Sequence, residues 1–334
     1  MLTKDKVLFN DWHVVALASD CQPGTLKRVR LLEEDLVLWR GDSLQCPIQV
    51  WQDRCPHRSV RLSLGKVSQN NLLCPYHGWK FNQRGKCEHI PLHPALQPPA
   101  SACVKTYHCQ ERWGFVWVCL GEPAQDIPPF PEWDQPSYHK VFFGPYHFRS
   151  SGFRVVENAF DVPHFAFIHD GSLGARDNTV IEKYDVTVNT EGVTLSNIHV
   201  WQPDTDGIGT IGKVTYLHKI CRPLTLYTVK KIAKGQETAL YTISPVAEED
   251  SIAWGVAAFN YEPDMLEAKF RAFQDKLYSE DAPMVESQCP ARLPLLSGNN
   301  PKGAIPFETH VPSDRGSVAY RRWLRELGIT FGIC

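Results

Sequence analysis

The sequence predicts an α+β fold built from two successive domains. Three observations support this prediction: short β-type runs fill residues 12–121, a proline-rich stretch follows, and the remaining chain mixes β-type runs with helical periodicity. A chain of 334 residues is long enough for two domains. We therefore expect an N-terminal domain over 1–125, a connector over 126–145 and a C-terminal domain over 146–334.

The N-terminal domain is predicted to be antiparallel β. Its apolar runs are short and separated by turn residues, and they read WHVVALA, LKRVRLL, DLVLWR, PIQVWQ and GFVWVCL. Gly24, Gly85 and the segment Arg40-Gly41-Asp42-Ser43 supply turns between them.

Proline marks the end of this domain. Residues 122–131 read EPAQDIPPFP, a composition typical of a semi-rigid connector. Beyond them, helical patterns are mixed with strand-like runs, which read VTVNTEGVTLSNIHV, TALYTISPV and SIAWGVAAF. Such a mixture predicts an α+β domain.

The N-terminal domain contains a metal-ligand pattern. Cys55-Pro-His57 is followed, after sixteen residues, by Cys74-Pro-Tyr-His77, so two short loops each offer one thiolate and one imidazole. This set suits a [2Fe–2S] cluster in which one iron takes two thiolates and the other takes two imidazoles. A structural zinc site would use the same four ligand types.

Two features favour iron over zinc. Pro56 and Pro75 tighten the loops and Gly78 permits close backbone approach, which suits a cluster whose sulfurs accept backbone N–H bonds. A zinc finger would place two histidines on one helical face, and that pattern is absent here.

Composition argues against several classes of protein. A net charge of −2 with no basic cluster gives no reason to expect nucleic acid or an anionic membrane as a partner. The apolar runs are too short to cross a bilayer, and the N-terminal segment does not resemble a secretory signal. The eleven cysteines show no disulfide-type spacing, so we expect reduced thiols in a cytoplasmic protein.

A second candidate metal site lies in residues 157–174, which read ENAFDVPHFAFIHDGSLG. On a helix, Asp161 and His164 would share a face, and an early helix end would let His169 turn toward the same point. Two histidines and one carboxylate on one face of the metal are the ligands of non-haem Fe(II) oxygenases. Histidines among aromatic residues can equally be core residues.

The third ligand must come from another segment. A helix is predicted from about Asp264, with one apolar stripe formed by Leu266, Phe270, Phe273 and Leu277. Glu280 and Asp281 fall on the two borders of this stripe, and Pro283 is expected to kink the helix beside them. Periodicity does not choose between the two acids, and both could lie on a solvated face.

Together, the two motifs resemble those of a Rieske non-haem iron oxygenase α subunit, and the resemblance covers nearly the whole chain. The matching segments are Cys55-x-His57, Cys74-x-x-His77-Gly-Trp and Asn158-x-x-Asp161-x-x-His164-x-x-x-x-His169. The resemblance implies an antiparallel β Rieske [2Fe–2S] domain followed by a helix-grip-like α+β catalytic domain.

The resemblance also implies the metal ligands. A [2Fe–2S] cluster would be held by Cys55, His57, Cys74 and His77. Mononuclear Fe(II) would be held by His164, His169 and Asp281, so the resemblance selects Asp281 rather than Glu280.

Electron supply follows from the same resemblance. Asp161 would bridge His164 to the partner subunit's His77, which implies a head-to-tail homotrimer whose electrons cross between subunits. Asn158 would lie near the iron without binding it. Because the chain has no Gly-x-Gly-x-x-Gly or flavin-binding fingerprint, we expect a separate ferredoxin or flavin reductase as the electron donor.

Within the family, the chain is similar to the monooxygenase branch that includes vanillate O-demethylase and dicamba monooxygenase. A closer similarity to the cyanobacterial oxygenases of saxitoxin biosynthesis is carried by WQDRCPHR, CPYHGWKFNQRGKCEHIP, YHCQERWGFVWVCLG, FIHDGSLG, PARLPLL and HVPSDRGSVAYRRWLRELG. The chain differs from them over residues 198–259, where we expect the substrate pocket.

The resemblance implies an enzyme that uses O₂ and external electrons to hydroxylate a C–H bond of a small molecule, here a tricyclic guanidinium alkaloid. An alternative within the class is O-demethylation or hydroxylation of an aromatic substrate. Two alternatives from other classes are a Rieske electron carrier without oxygenase activity and a zinc-stabilised binding module. The second ligand set argues against the electron carrier, which needs no second domain of this size.

Overall fold

The computed structural model describes residues 5–206, 209–261, 267–295 and 308–334. Its internal contacts divide the chain into two units, Met1–Ile127 and Pro128–Cys334. The first unit is built mainly of antiparallel strands, and the second combines one large sheet with helices. The predicted α+β fold is therefore confirmed.

The N-terminal unit forms three small antiparallel sheets within its described residues. Its strands are β1 (His13–Leu17), β2 (Leu26–Leu31), β3 (Glu34–Trp39), β4 (Gln49–Gln52), β5 (Lys66–Ser68), β6 (Asn71–Leu73), β7 (Lys80–Phe81), β8 (Cys87–His89), β9 (His108–Arg112) and β10 (Phe115–Cys119), and a short helix, α1 (Lys6–Phe9), precedes them. The strand orders of the three sheets are β1-β10-β9, β2-β3-β4 and β5-β6-β7-β8. The five predicted runs form β1, β2, β3, β4 and β10.

A buried cluster ties the sheets of this unit to its two cysteine loops. Trp39 of β3, Trp51 of β4 and Phe81 of β7 pack in one apolar core that also contains Cys55 and Cys74. The first cysteine loop follows β4, and the second connects β6 to β7. Strand packing therefore fixes both loops at their bases.

The C-terminal unit is organised around a seven-stranded antiparallel sheet of order β11-β17-β16-β15-β14-β13-β12. Its elements are β11 (His139–Phe148), α2 (Gly152–Phe160), α3 (Phe165–Ile168), β12 (Asp185–Asn189), β13 (Gly192–Gln202), β14 (Gly212–Arg222), β15 (Thr225–Ile232), β16 (Gly235–Ala247), β17 (Asp250–Phe259), α4 (Glu267–Glu286) and α5 (Arg315–Leu327). Short 3₁₀ turns occur at Ala18–Asp20, Leu62–Leu64 and Pro312–Asp314.

Three helices pack on the large sheet. Helix α2 contacts β16 and β17, α4 lies against β11, and α5 contacts β12 and β13. Phe270 of α4 inserts into an apolar cluster with Phe143 of β11 and Phe259 of β17. This packing holds α2 and α4, the helices that flank the second candidate metal site, against one sheet.

Some sequence-based boundaries differ from the structure. Strand β11 begins at His139, inside the range assigned to the connector, and the domain limits remain a prediction. The expected helix start at Asp264 and its stripe residue Leu266 lie outside the described residues. Pro283 lies within α4, which continues to Glu286. Within the described ranges, every helix is too short or too polar to cross a bilayer.

Candidate metal centres

The two cysteine loops of the N-terminal unit are turns of the same geometry. In one, Ser59 N–H donates to the Cys55 carbonyl at 2.9 Å, and in the other Gly78 N–H donates to the Cys74 carbonyl at 3.1 Å. Both donors adopt positive φ, 58° for Ser59 and 68° for Gly78. Each turn therefore presents one cysteine and one histidine, although the histidine lies two residues after the cysteine in the first turn and three residues after it in the second.

These turns bring all four side chains together. The rings of His57 and His77 lie with their centroids 4.7 Å apart. The thiols of Cys55 and Cys74 are hydrogen-bonded, and this bond lowers the pKa of Cys74 below that of an ordinary thiol. Nδ1 of His57 is buried without a hydrogen-bond partner among the described residues. This convergence of two thiols and two imidazoles fits a [2Fe–2S] cluster.

The second ligand set also meets at one point. The ligand atoms of His164, His169 and Asp281 all lie within 4.8 Å of one another. Asp281 Oδ1 is 3.1 Å from His169 Nε2 and 3.5 Å from His164 Nε2. His164 Nε2 and Asp281 Oδ1 are buried and make no hydrogen bond within the described chain. Two histidines and one carboxylate with lone pairs facing one point fit mononuclear Fe(II).

The backbone of this site differs from the predicted helix. Helix α2 ends at Phe160, Asp161 caps it, and His164 lies in the turn before α3. Asp161 and His164 are therefore brought together by a turn rather than by a shared helical face, because the chain leaves α2 before it reaches His164. His169 follows the last residue of α3.

Each histidine of this set has a carboxylate within hydrogen-bond distance of its Nδ1 atom. Asp161 Oδ2 lies 3.1 Å from His164 Nδ1, and Glu280 Oε2 lies 2.7 Å from His169 Nδ1. Burial alone would lower the pKa of His169, but Asp281 and Glu280 raise it above the ordinary histidine value. A carboxylate on Nδ1 orients the ring and leaves Nε2 free for a metal.

The structure therefore gives the two neighbouring acids of α4 different positions. Asp281 faces Nε2 of both histidines, whereas Glu280 contacts only the far side of His169. Geometry thus favours Asp281 as the third ligand, a choice that periodicity leaves open. No sequence pattern indicates the contact between Glu280 and His169.

A cavity of about 120 Å³ lies beside these ligands. Its walls are mainly apolar and include six aromatic residues, which are Phe143, Tyr146, Phe148, Phe165, Tyr241 and Tyr278. Asn158 of α2 and Gln274 of α4 also line it. Gln274 is only 7% exposed, and its amide makes no hydrogen bond with the described residues.

The cavity lies only partly in the range expected for the substrate pocket. Of residues 198–259, only Tyr241, Ile243 and Ala253 contribute to its described lining. The rest of that range does not contribute to the described lining of this cavity, whose walls also come from α2, α4 and β11. A signal for Gln274 was present in the sequence, since it lies seven residues before Asp281 on the same helical face.

Comparisons with known proteins agree with both centres. Residues 11–108 match the Rieske [2Fe-2S] domain, and residues 151–328 match the vanillate O-demethylase oxygenase C-terminal domain. The chain belongs to the Rieske oxygenases. It is a Rieske non-haem iron monooxygenase, and its cofactors are a Rieske [2Fe–2S] cluster and mononuclear iron. Like other Rieske oxygenases, it takes electrons from a separate reductase.

Several relatives of this Rieske oxygenase act on methylated compounds. It is 31% identical to methylxanthine N1-demethylase NdmA of Pseudomonas putida over 326 residues, covering 95% of this chain and 88% of the relative. It is 27% identical to the vanillate O-demethylase oxygenase subunit of Pseudomonas sp. (strain ATCC 19151), covering 82% and 92% of the two chains.

Solved structures give the same result. The structure of P. putida NdmA with caffeine superposes with a TM-score of 0.76 at 28% identity, covering 96% of this chain and 91% of that one. Dicamba monooxygenase bound to dicamba shares the fold, with a TM-score of 0.76 at 22% identity over 96% of this chain and 97% of that one.

Proposed function

We propose that this Rieske oxygenase oxidatively demethylates a flat, neutral, N- or O-methylated aromatic compound, preferably a heteroaromatic one. The observation that carries this proposal is the unpaired amide of Gln274 inside an aromatic cavity beside His164, His169 and Asp281. An aromatic wall suits a planar ring, and a buried amide without a partner suits a ring carbonyl or ring nitrogen.

In this proposal, His164, His169 and Asp281 hold the mononuclear iron, and the cluster is held by Cys55, His57, Cys74 and His77. Iron held there supplies O₂ activation and oxidation of a C–H bond. Asp161 and Glu280 keep the two imidazole rings in the orientation that leaves each Nε2 free. Asn158 lines the cavity, where its amide can contact substrate.

The charge of the cavity supports a neutral substrate. Among the described lining residues the only carboxylate is Asp281, and the proposed metal site uses it. A guanidinium group bound in this cavity would find no described carboxylate left to pair with its positive charge. Burying an unpaired charge is costly. The relatives that act on methylxanthines and vanillate support demethylation better than hydroxylation of a guanidinium alkaloid.

The overall reaction balances as a monooxygenation. A methyl C–H bond, O₂, two electrons and two protons give a hydroxymethyl group and water. The hydroxymethyl group on nitrogen or oxygen then loses formaldehyde and leaves an N–H or O–H on the ring. The electrons come from the separate reductase, and its type, ferredoxin or flavoprotein, belongs to the proposal.

The proposed assembly is a homotrimer in which Asp161 links His164 to the partner subunit's His77. Its support is the resemblance of the Asn158–His169 motif to that of the family. The proposed location is the cytoplasm, and the nine free cysteines other than Cys55 and Cys74 support a reducing compartment.

A single-turnover experiment tests the proposed function. Chemically reduced holoenzyme is mixed with O₂ and one of three probes: caffeine, methoxybenzene or a tricyclic guanidinium alkaloid. Products are analysed by mass spectrometry and by a formaldehyde assay. We expect formaldehyde and a product lacking one methyl group from a methylated aromatic. An oxygen atom added to the alkaloid, with neither aromatic demethylated, would overturn the proposal.

Gln274 provides the matched variant for this experiment. Gln274→Leu keeps the side chain's approximate volume and removes both hydrogen-bonding groups, so we expect about a tenfold rise in KM with little change in kcat, in line with a loss of about 1.4 kcal/mol of binding. Gln288→Leu, at an exposed position just after the end of α4, is the control. An unchanged KM in the Gln274 variant would contradict substrate recognition by this amide.

A further inference from the structure

A second cavity of about 210 Å³ lies in the catalytic unit, under the first turns of α4. Its walls combine charged and polar side chains with two aromatic rings of α4, Phe270 and Phe273. The charged and polar residues are Asp204, Thr205, Asp206, Lys230 of β15, Glu237 of β16, Tyr261 and Lys269. It shares no described lining residue with the cavity beside His164 and His169. Neither the proposed metal ligands nor Gln274 belongs to it.

Lys230 is an unusual residue in this cavity. It is only 9% exposed, and its ammonium makes no ion pair or hydrogen bond with the described residues. Burial lowers its pKa below the ordinary lysine value, although Glu237, Asp204 and Asp206 act in the opposite direction. An ammonium that reaches this cavity without a direct partner has N–H donors left for a ligand group that accepts a hydrogen bond.

Glu237 lies beside this donor and provides an acceptor. Lys230 and Glu237 are direct partners in the β15–β16 ladder, so their side chains point to the same face of the sheet. Tyr261 donates its hydroxyl to Glu237 Oε2 at 2.9 Å, and Oε1 is left for another donor. One hydrogen-bond donor and one acceptor therefore stand side by side across two strands.

We propose that this cavity binds a planar heteroaromatic ring through a lactam edge, with the ring carbonyl on Lys230 and the adjacent N–H on Glu237. The ring lies against Phe270 and Phe273. This inference rests on the proposed function, because N-demethylation beside a ring carbonyl creates such an edge. The cavity is then a product subsite, and the methylated substrate binds there poorly because it has no N–H for Glu237.

The two cavities lie next to each other along α4 and β16. On α4, Phe270 of the second cavity is one turn from Gln274 of the first, about 6 Å along the helix. On β16, Glu237 and Tyr241 line the second and first cavities and point to the same face, about 13 Å apart. The second cavity is therefore next to the first on the same face of the sheet.

Calorimetric titration of the resting holoenzyme tests the subsite with theobromine and caffeine. The two probes differ by one methyl group, and only theobromine has an N–H between two ring carbonyls. We expect theobromine to show one more binding site per chain than caffeine does. Equal stoichiometry for the two probes, or no binding of either, would overturn the proposal.

Two variants and one control assign the extra site. Lys230→Met and Glu237→Gln are expected to weaken the theobromine-specific site at least tenfold while leaving caffeine binding unchanged; the second keeps the volume of the side chain. Lys231→Met changes the next residue, which is exposed and lies on the opposite face of β15, and should leave both titrations unchanged. A theobromine-specific site that survives in both cavity variants would refute the assignment.

Because this measurement needs no turnover, it separates the two proposals. If caffeine is not demethylated but the theobromine-specific site depends on Lys230, the proposed function fails for N-methyl groups and the product role is overturned with it. If formaldehyde is formed and the theobromine-specific site is absent, the proposed function stands and the subsite is refuted.

Discussion

The two metal centres use similar side chains but are assembled over very different lengths of chain. The proposed cluster ligands all lie between Cys55 and His77, on two turns of the same geometry. The proposed mononuclear ligands reach from His164 to Asp281 and meet because α2, which precedes His164, and α4 are held against the same sheet. The first centre depends on local backbone conformation, and the second depends on tertiary packing.

The histidines of the two centres also differ in what contacts their Nδ1 atoms. His164 and His169 each have a carboxylate on Nδ1, supplied by Asp161 and Glu280. Nδ1 of His57 has no such partner in the described part of the chain, and the indole ring of Trp79 stacks on its imidazole at 4.5 Å. At the mononuclear centre, side chains outside the ligand set therefore influence the orientation and basicity of the histidine ligands.

The largest expected effect comes from removing a mononuclear ligand. His164→Ala should abolish formaldehyde release and the iron bound at that centre, because only one histidine and one carboxylate remain. The visible absorption of the cluster should persist, since the four cluster residues lie in the other unit. Loss of the cluster spectrum in this variant would contradict two independently assembled centres.

A smaller effect is expected where the two centres are proposed to communicate. Asp161→Asn keeps the shape of the side chain but removes the charge behind His164, so both metals should stay bound while oxidation of the reduced cluster slows by roughly 100-fold. Stopped-flow absorbance of the cluster, with O₂ and substrate present, measures this rate. Cluster oxidation at the wild-type rate would refute the proposed role of Asp161.

The variant Glu280→Gln tests whether the carboxylate beside His169 Nδ1 strengthens iron binding. Glu280→Gln retains the length of the side chain but loses the charge on His169 Nδ1, so we expect about tenfold weaker binding of the mononuclear iron. Iron content after dialysis against a chelator measures this change. Lys276→Met is the control, because Lys276 lies 3.7 Å from Glu280 on the exposed side of α4. Equal iron retention in all three proteins would show that Glu280 does not support the site.

The same contrast explains what the sequence could predict. The cluster pattern could be found because its spacing is local, and Gly78 occupies one of the two positions that require positive φ. The third mononuclear ligand, Asp281, was predicted only through the family resemblance, since nothing within residues 157–174 indicates which acid of α4 faces His169. Strands β5 to β8 were missed because each has only two or three residues, too few for an alternating pattern.

Gly78→Ala should give the smallest effect and should be confined to the cluster domain. An alanine at position 78 would keep φ 68°, and its Cβ would lie 3.1 Å from Pro91 Cγ. The left-handed conformation costs about 1–2 kcal/mol for an L-residue. Ser59 already carries a side chain at the equivalent position of the other turn, with φ 58°. Ser59→Ala is therefore the matched control, since it adds no strain and removes only the hydrogen bond from Arg54.

Thermal unfolding followed by cluster absorbance measures the Gly78→Ala effect, and the iron content of the mononuclear centre measures whether it stays local. We expect an earlier loss of the cluster in Gly78→Ala than in Ser59→Ala, with the mononuclear iron retained in both. If Gly78→Ala released the mononuclear iron as readily as the cluster, the two centres would share one cooperative unit. The difference between a locally built centre and a packed one would then disappear, since strain in one turn of the first unit would be felt at His164 and Asp281.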